Sequence, residues 1–405
     1  MADTTATSFT FDRAGLARMA DWLAVGVAVA MPWSISASQI LTALWLLALI
    51  SMLDIAEVRR ELRTTAGGLP VLLWLLAVVA MLWANVPWSA RYAGLEGFHK
   101  LLVIPLLLAQ FRRSPRGIYV VYGFLASCAL LTIASWSLMV LWKVWSVYVP
   151  GKIPGLLVKD YIAQSSEFLI CAFGLLGFAA DRRRKRGTRF ALGALLLAGV
   201  FLANIFYIAP GRTAIIIMPA LLVILGFYHF GWRGVAAAVV VGGLLAAAAW
   251  AASPFLRARV MASFSEVQAY EMQNAESSSA IRLELWKKSL GIIASAPVIG
   301  HGTGSIPEQF GDDVFGQLSV NPHNQVFAVA IQLGLIGAVV LFAMWFAHLA
   351  LFGGGGLIAW LGILMVVQNI ASAPFNSHLF DSFHGWLYAF GVGVLGGIAR
   401  RERSA

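Results

Sequence analysis

The chain has 405 residues, of which 60% are hydrophobic and 12% charged, and its mean hydropathy is +0.80. A water-soluble domain usually has about 25% charged and 45–50% apolar residues. This composition excludes a soluble globular enzyme, a disordered chain and a nucleic-acid-binding domain, although the net charge is +10. The two cysteines, Cys128 and Cys171, lie in apolar runs, so neither a disulfide framework nor a metal framework is indicated.

The apolar runs predict an all-α polytopic membrane bundle, because a helix that crosses a bilayer needs roughly 20 apolar residues. The 39 glycines and 14 prolines fit helices packed closely in lipid better than a β-barrel, whose strands would alternate polar and apolar residues. About twelve transmembrane helices are predicted, of which the first two are short and interrupted by Pro32. The spans are 20–36, 38–53, 69–85, 93–111, 117–142, 161–180, 190–208, 212–230, 234–252, 323–350, 357–373 and 384–399.

The basic residues predict the orientation, because loops on the cytoplasmic side are enriched in Lys and Arg. With a cytoplasmic N-terminus and a retained first helix, 18 of the 29 basic residues lie inside. These are Arg13, Arg18, Arg59, Arg60, Arg63, Arg112, Arg113, Arg116, the run 182–186, Arg189, Arg233, Arg400, Arg401 and Arg403. The run 182–186 is therefore interpreted as a cytoplasmic anchor and not as a nucleic-acid site.

This orientation divides the chain into three parts and places one long segment outside the membrane. Residues 1–252 hold nine predicted spans, residues 253–322 form a periplasmic loop, and residues 323–405 hold the last three spans and a cytoplasmic tail. Loops of this length are usually functional or disordered. Apolar and aromatic residues recur through this one, so a folded and partly helical cap is expected.

His323 and Asn324 are the first candidate site residues, at the start of the tenth span after Pro322, which favours a helix start. At about 100° per residue, Gly334 and Gly337 fall near the helix face of His323. Glycines on that face admit a neighbouring helix, which would hold the imidazole in place. A hydrogen-bonded structural histidine remains the alternative from the residues alone.

Arg212 is the second candidate, because it opens a predicted span after a short turn. An arginine opposes the positive end of the helix dipole unless an anion binds there. A side chain that extends to lipid headgroups is the alternative.

Arg282 is the third candidate and lies in an amphipathic stretch from Ser279 to Ala294 within the long loop. Trp286 follows four residues later, where its ring can stack on the guanidinium. A surface helix lying among lipid headgroups is the alternative interpretation. The stretch ends in a glycine-rich turn, Pro-Val-Ile-Gly-His-Gly-Thr-Gly, at residues 297–304.

Three further polar residues are weaker candidates as neighbours of this site. Arg91 and Lys100, near the fourth span, could add to an outer basic site. Glu167 shares a face of the sixth span with Asp160, and a carboxylate inside a membrane is often functional. No metal, nucleotide or phosphate-loop motif is present, so no metal and no cofactor is expected.

The order of these features resembles the bacterial O-antigen ligase family. The resemblance rests on an Arg opening an outer helix end, an Arg-x-x-x-Trp loop, the Pro-x-x-Gly-x-Gly-x-Gly turn and His-Asn-x9-Gly-x-x-Gly. These motifs extend from about residue 209 to 337. His301 in the turn departs from the small or apolar residue that is typical of the family.

The resemblance implies a GT-C-like membrane glycosyltransferase of the bacterial inner membrane, with an active site that faces the periplasm. The donor would be O-antigen polysaccharide on undecaprenyl diphosphate, and the acceptor a sugar hydroxyl of lipid A–core oligosaccharide, without metal or ATP and with inversion at the anomeric carbon. Membrane lipids surround such an enzyme, and nucleic acid is not a partner. Arg212 and Arg282 would bind the diphosphate and His323 would be the base. The alternative assignment has His323 on the phosphate and Glu167 as base.

Two other functions are compatible with the sequence. A polymerase or an O-linked protein oligosaccharyltransferase of the same superfamily shares most of these motifs. A lipid or glycan transporter is less compatible, because transporters place polar residues near the membrane midplane on broken helices in paired halves, whereas the candidates here gather at one surface.

Overall fold

The computed structural model describes residues 12–145, 155–157, 160–181, 187–209, 211–252, 257, 261, 278–311 and 321–404. Every regular element within these residues is helical, as predicted. The helices are α1 (Arg13–Ala30), α2 (Ile35–Ile50), α3 (Ile55–Leu62), α4 (Thr65–Ala80), α5 (Trp88–His99), α6 (Val103–Arg113), α7 (Gly117–Trp145), α8 (Tyr161–Ala180), α9 (Thr188–Tyr207), α10 (Arg212–Ala252), α11 (Ser278–Ser295), α12 (Ile306–Phe310), α13 (Gln325–Leu351), α14 (Leu357–Ser372) and α15 (His384–Ser404), with a 3₁₀ turn at Lys100–Leu102.

The predicted spans coincide with helices along most of the described chain. Helix α8 begins and ends where the sixth span was predicted, and α7 and α9 do so within three residues. Among the described residues, six helices are long and apolar enough to cross a membrane, or seven if the bent pair α2–α3 counts as one span. The chain is thus a multi-pass helical membrane protein, whereas the total of about twelve spans is not reached by this criterion and stays a prediction.

Helix α8 is the central helix of the bundle. It packs on α9, α10 and α14, and most of its side chains are buried. Other helices expose large apolar side chains on the outside of the bundle, among them Leu47, Val339 and Phe346. An exposed apolar exterior around a buried central helix is what a lipid environment requires.

Helix α10 is a hairpin of two helical segments. Gly231 at its middle has φ +63°, and the backbones of Gly226 and Gly234 meet so closely that a Cβ on either glycine would overlap the other's carbonyl oxygen. The two halves correspond to the separately predicted spans 212–230 and 234–252.

Helix α13 is also broken, which corrects the helix-face argument for His323. Gly334 has φ +64° and interrupts the helix, and His323 precedes the helix, which begins after Asn324. The group that approaches Gly334 is the backbone of Val298 and Ile299 and not a neighbouring helix. The two glycines therefore do not form one regular face below the histidine.

The glycine-rich turn at 297–304 satisfies the backbone groups that this break exposes. The carbonyl of Pro297 accepts from Leu335 N–H at 2.8 Å, and His301 N–H donates to Ile331 O at 2.8 Å. Gly300 and Gly302 have φ +68° and +91°, and a side chain on either would meet neighbouring backbone atoms. The end of the long loop is thus inserted into the helical bundle.

The same turn also contacts helix α4. The Thr303 hydroxyl donates to Ala77 O at 2.6 Å, and the Thr303 N–H donates to Ala80 O at 3.3 Å. The turn therefore joins the C-terminal end of α4 to the break in α13.

Ion pairs gather at the opposite end of the bundle. Arg112 and Arg400 both pair with the buried Glu61, and Arg403 donates to Leu351 O at the end of α13. These contacts lie at the C-terminal end of α13, whereas His323 lies just before its N-terminal end. These arginines belong to the set predicted to be cytoplasmic. The basic run 182–186 and the first 11 residues lie outside the described residues, as do residues 253–256, 258–260, 262–277 and 312–320 of the predicted loop 253–322.

Candidate functional site

Helices α8, α10, α13 and α15 begin at the same end of the bundle, where the loop 373–383 also lies. Gly211, before α10, packs against Ser165 of α8 so closely that a Cβ would overlap its hydroxyl. Gln325, the first residue of α13, donates its N–H to Ala373 O at 2.8 Å. Since each helix N-terminus carries a partial positive charge, this end of the bundle favours anions.

His323 stands at the centre of this end, in a backbone conformation that residues other than glycine seldom adopt. Its φ is +48°, and its N–H donates to the Asn321 side chain at 2.9 Å. Burial lowers the pKa of His323 and the charge of Arg282 lowers it further, while a hydrogen bond with Asn376 opposes this decrease. At neutral pH the imidazole is therefore mostly uncharged and its lone pair is available.

The structure brings Arg212, Arg282 and His323 together. Burial lowers the pKa of Arg282, and the nearby charge of Arg212 lowers it further. Arginine nevertheless stays charged in proteins. Two like charges that face each other at the ends of α10 and α11, beside several helix N-termini, form an environment in which an anion is strongly favoured.

Asn324 and Trp286 have structural contacts. Asn324 caps α13, since its side chain accepts hydrogen bonds from Val326 N–H and Phe327 N–H at 2.9 and 3.1 Å. The indole ring of Trp286 meets Phe327 edge to face, with 6.4 Å between ring centroids, and its stacking on Arg282 stays a prediction. The indole thus packs α11 against α13.

Arg91 and Lys100 are engaged with backbone carbonyls and not with a shared basic site. Arg91 donates to Val86 O and Met81 O at 2.9 and 2.7 Å, at the end of α4. Lys100 is buried and donates to the carbonyls of Phe380 and Asp381 at 2.8 and 2.9 Å. Both cations therefore hold loops in place, and their contribution to an outer basic site stays a prediction.

Glu167 lies fully buried in α8, roughly 9 Å below the first residue of that helix. Asp160, which the sequence placed on the same helix face, is the N-cap of α8 and accepts from Ala163 N–H at 2.7 Å. The two carboxylates thus have separate surroundings.

The loop 373–383 supplies polar groups that the sequence analysis missed. The imidazoles of His378 and His384 stack with 3.9 Å between centroids, and His384 bonds both to Asp381 Oδ1 at 2.9 Å and to Ser166 Oγ at 3.1 Å. Burial lowers the pKa of His378, as do the charges of His384 and Arg282, with Asp381 acting in the opposite direction. The loop is a polar segment between two apolar spans, but the spacing of its polar residues matches no ligand motif. Its proximity to His323 is a consequence of the fold and could not be read from the sequence.

Taken together, the described groups can hold a polyanion and remove a proton. Two guanidinium groups and several helix N-termini supply positive potential, and a neutral imidazole supplies a base. Within the described part of the chain, no three His, Cys, Asp or Glu side chains come together as metal ligands.

The comparisons with known proteins concern the same part of the chain. A family model described as O-Antigen ligase matches residues 197–342. The matched segment contains Arg212, Arg282 and His323, and it confirms the family resemblance seen in the motifs. No curated protein matches the chain.

Proposed function

We propose that this member of the O-antigen ligase family transfers O-antigen polysaccharide from undecaprenyl diphosphate to a sugar hydroxyl of lipid A–core oligosaccharide. The reaction takes place at the periplasmic face of the bacterial inner membrane. The family consists of membrane glycosyltransferase-like enzymes with polysaccharide and lipid-linked substrates. The observation that carries the proposal is the meeting of Arg212, Arg282 and His323 at the end of the bundle opposite the ion pairs of Glu61.

Arg212 and Arg282 bind the donor diphosphate in this proposal. When the bond between the anomeric carbon and the diphosphate oxygen breaks, the electron pair stays on that oxygen. The developing charge is stabilised by guanidinium groups, whose planar donors suit phosphate oxygens. Helices α8, α10 and α13 begin at the same end of the bundle, and the positive potential of their N-termini adds to this stabilisation.

His323 takes the proton from the acceptor hydroxyl as the hydroxyl oxygen attacks the anomeric carbon. One carbon–oxygen bond forms as the other breaks, the diphosphate leaves and the proton moves to the imidazole. Because the hydroxyl attacks opposite the leaving diphosphate in a single displacement, the anomeric configuration inverts. A depressed pKa supports this role, because an imidazole that is already protonated cannot act as a base.

Glu167 is the alternative base, with His323 then bound to phosphate. The complete burial of Glu167 inside α8 supports His323 instead, since a base must come within about 3 Å of the hydroxyl. The variant Glu167→Gln tests this alternative: it should retain transfer, and its complete loss at normal protein level would favour the alternative.

The principal test uses purified full-length protein, lipid-linked O-antigen and lipid A–core. A ligase forms product only when the core acceptor is present. Longer lipid-linked chains without the acceptor would instead identify a polymerase. Glycosylation of a protein acceptor would identify an oligosaccharyltransferase, and movement of donor across vesicles without new bonds would identify a transporter.

The variants Arg212→Ala, Arg282→Ala and His323→Ala should each remove visible ligation while the protein still accumulates. Loss of one preorganised electrostatic contact typically decreases the rate by ~10²–10³. The measurement is the lipopolysaccharide ladder of complemented cells, normalised to the amount of membrane protein. A normal ladder from any of the three variants would contradict the role of that residue.

A further inference from the structure

A cavity of about 510 Å³ lies beside the candidate site, and Arg212, Arg282 and His323 are not among its lining residues. It is bounded by α5, by the turn at Gly304–Pro307, by Asn321 and Pro322, and by part of the loop 373–383. Its size falls in the range of small-molecule sites, roughly 300–1,000 Å³.

Two glycines of α5 create this space. A Cβ on Gly94 would overlap the backbone of Gly304, and a Cβ on Gly97 would lie only 3.0 Å from the ring of Phe380. The turn and the loop thus lie directly on α5, and the cavity opens between them. Its wall on α13 is formed by Ala328 and Gln332.

The free polar groups of the described lining are those that bind sugar hydroxyls. The exposed Glu96 carboxylate is a hydrogen-bond acceptor, the Asn321 amide offers two donors and the exposed Ser382 hydroxyl does both. None of these three groups hydrogen-bonds to another described residue, although the charge of Glu96 interacts with that of Lys100. The Asn321 side-chain oxygen, in contrast, already accepts from His323 N–H and from the Ser377 hydroxyl at 2.9 and 2.8 Å.

The same lining does not suit a phosphate. No arginine is present among the described lining residues, and the ammonium group of Lys100 already donates to two carbonyls. The carboxylate of Glu96 would repel an anion. The cavity therefore differs in chemistry from the arginine side of His323. The two are nevertheless neighbours, because Asn321 and Pro322, which line the cavity, directly precede His323 in the chain.

We infer that this cavity is the acceptor subsite and that it binds an uncharged sugar unit of the acceptor oligosaccharide beside His323. The inference rests on the proposed transferase function, which it deepens. The donor diphosphate lies on the side of Arg212 and Arg282, the acceptor sugar on the side of Glu96 and Ser382, and the segment Asn321–His323 stands between them.

Two substitutions in full-length protein test the subsite. Glu96→Gln removes the charge but keeps the size of the side chain, and Ala93→Trp fills the cavity from an exposed position in its lining. Ser89→Trp, at an exposed position of the same helix outside the lining, is the matched control for added bulk. Transfer is measured against lipid A–core concentration at saturating donor, and then against donor concentration at saturating acceptor.

We expect Glu96→Gln to raise the acceptor KM about tenfold, because a charged carboxylate accepts a hydrogen bond from a sugar hydroxyl more strongly than a neutral amide does. The donor KM should stay within twofold. Ala93→Trp should raise the acceptor KM further, whereas Ser89→Trp should leave both constants unchanged. Binding of core oligosaccharide, released from lipid A, to the unmodified protein and to Glu96→Gln gives a second measurement.

The outcomes separate this inference from the proposed function. If the unmodified protein transfers sugar but both cavity variants have the acceptor KM of the unmodified protein, the assignment of the cavity as acceptor subsite is wrong. The proposed transferase function would be unaffected. An increase in the donor KM alone would assign the cavity to the donor and also overturn the inference. If the unmodified protein transfers nothing to the core acceptor, the proposed function fails first.

Discussion

His323 combines the chemical role proposed for it with an unusual backbone conformation. A positive φ in a residue other than glycine costs roughly 1–2 kcal/mol, although histidine, asparagine and aspartate tolerate it better than most residues. The Asn321 side chain stabilises this conformation by accepting a hydrogen bond from the His323 N–H. Such strain is typical of sites where a side chain must point in one direction.

This backbone predicts that substitutions at position 323 separate activity from stability. His323→Asn should keep the unfolding temperature of the protein while transfer falls at least ~10²-fold, because asparagine accepts positive φ but is no base. His323→Val should lose activity and also lower the unfolding temperature, since a β-branched side chain is disfavoured there. Both are measured on purified protein, and equal unfolding temperatures of the two variants would contradict the strain argument.

The charge of Arg282 predicts a pH effect. Because burial and Arg282 lower the pKa of His323, kcat/KM should hold as the pH falls to about 6.5 and decrease only below it. Arg282→Gln removes the repulsion, so the pKa of His323 rises and the decrease in its residual activity begins at higher pH. Arg282→Lys keeps the positive charge and is the matched control. An unchanged acid limb in Arg282→Gln would exclude His323 as the titrating base.

The three charged or titrating residues of the site could be found in the sequence, while their surroundings could not. Arg212, Arg282 and His323 are marked by their positions at helix starts or in a polar loop. Asn376 and His384 carry no such signal, because a residue that acts through contacts distant in sequence is defined only by the fold.

The helices themselves were predictable, and their breaks were not. Long apolar runs predict α7, α8 and α9 to within three residues. The break in α13 is different, since Gly334 stands in an apolar run with Gln332 as its one polar residue, and no turn motif marks the break. The backbone of residues 297–302, some 35 positions earlier, supplies hydrogen bonds to the N–H and C=O groups exposed at the break. Without these bonds, unsatisfied backbone groups inside a membrane would destabilise the protein.

The broken helix predicts which glycines are essential. Gly334→Ala places a side chain at φ +64° and against the carbonyl of Val298, so the unfolding free energy should fall by about 2 kcal/mol or more. Gly291→Ala in α11, where an added Cβ meets nothing within 4 Å, should be neutral or stabilising by up to about 1 kcal/mol. Thermal unfolding in detergent compares the two, and equal effects would contradict the account of the break.

The whole molecule has two chemically different ends. One end carries arginine–carboxylate pairs around Glu61, and the other carries Arg212, Arg282 and His323. The distribution of Lys and Arg among the predicted loops indicated these two ends, because cytoplasmic loops are enriched in basic residues. The number of crossings is a harder prediction, since α4 and α14 have only 16 residues each.

The orientation predicts which end a membrane-impermeant thiol reagent reaches. Ser382→Cys should react in intact spheroplasts, whereas Ser404→Cys should react only after the membrane is opened. The two native cysteines are both buried, so background labelling should be low. Labelling of Ser404→Cys alone in intact spheroplasts would reverse the orientation and place the candidate site in the cytoplasm.

The anchoring of α13 by the loop 373–383 sets a limit on chimeric enzymes. Ala373 and Leu379 fix Gln325 through two hydrogen bonds, and Asn376 contacts His323, yet all three lie beyond residues 197–342, which the family model matches. A graft of that segment alone into a relative would transfer the proposed base, His323, without the loop residues that hold it in position. Exchanges of specificity should therefore transplant residues 373–383 together with the segment.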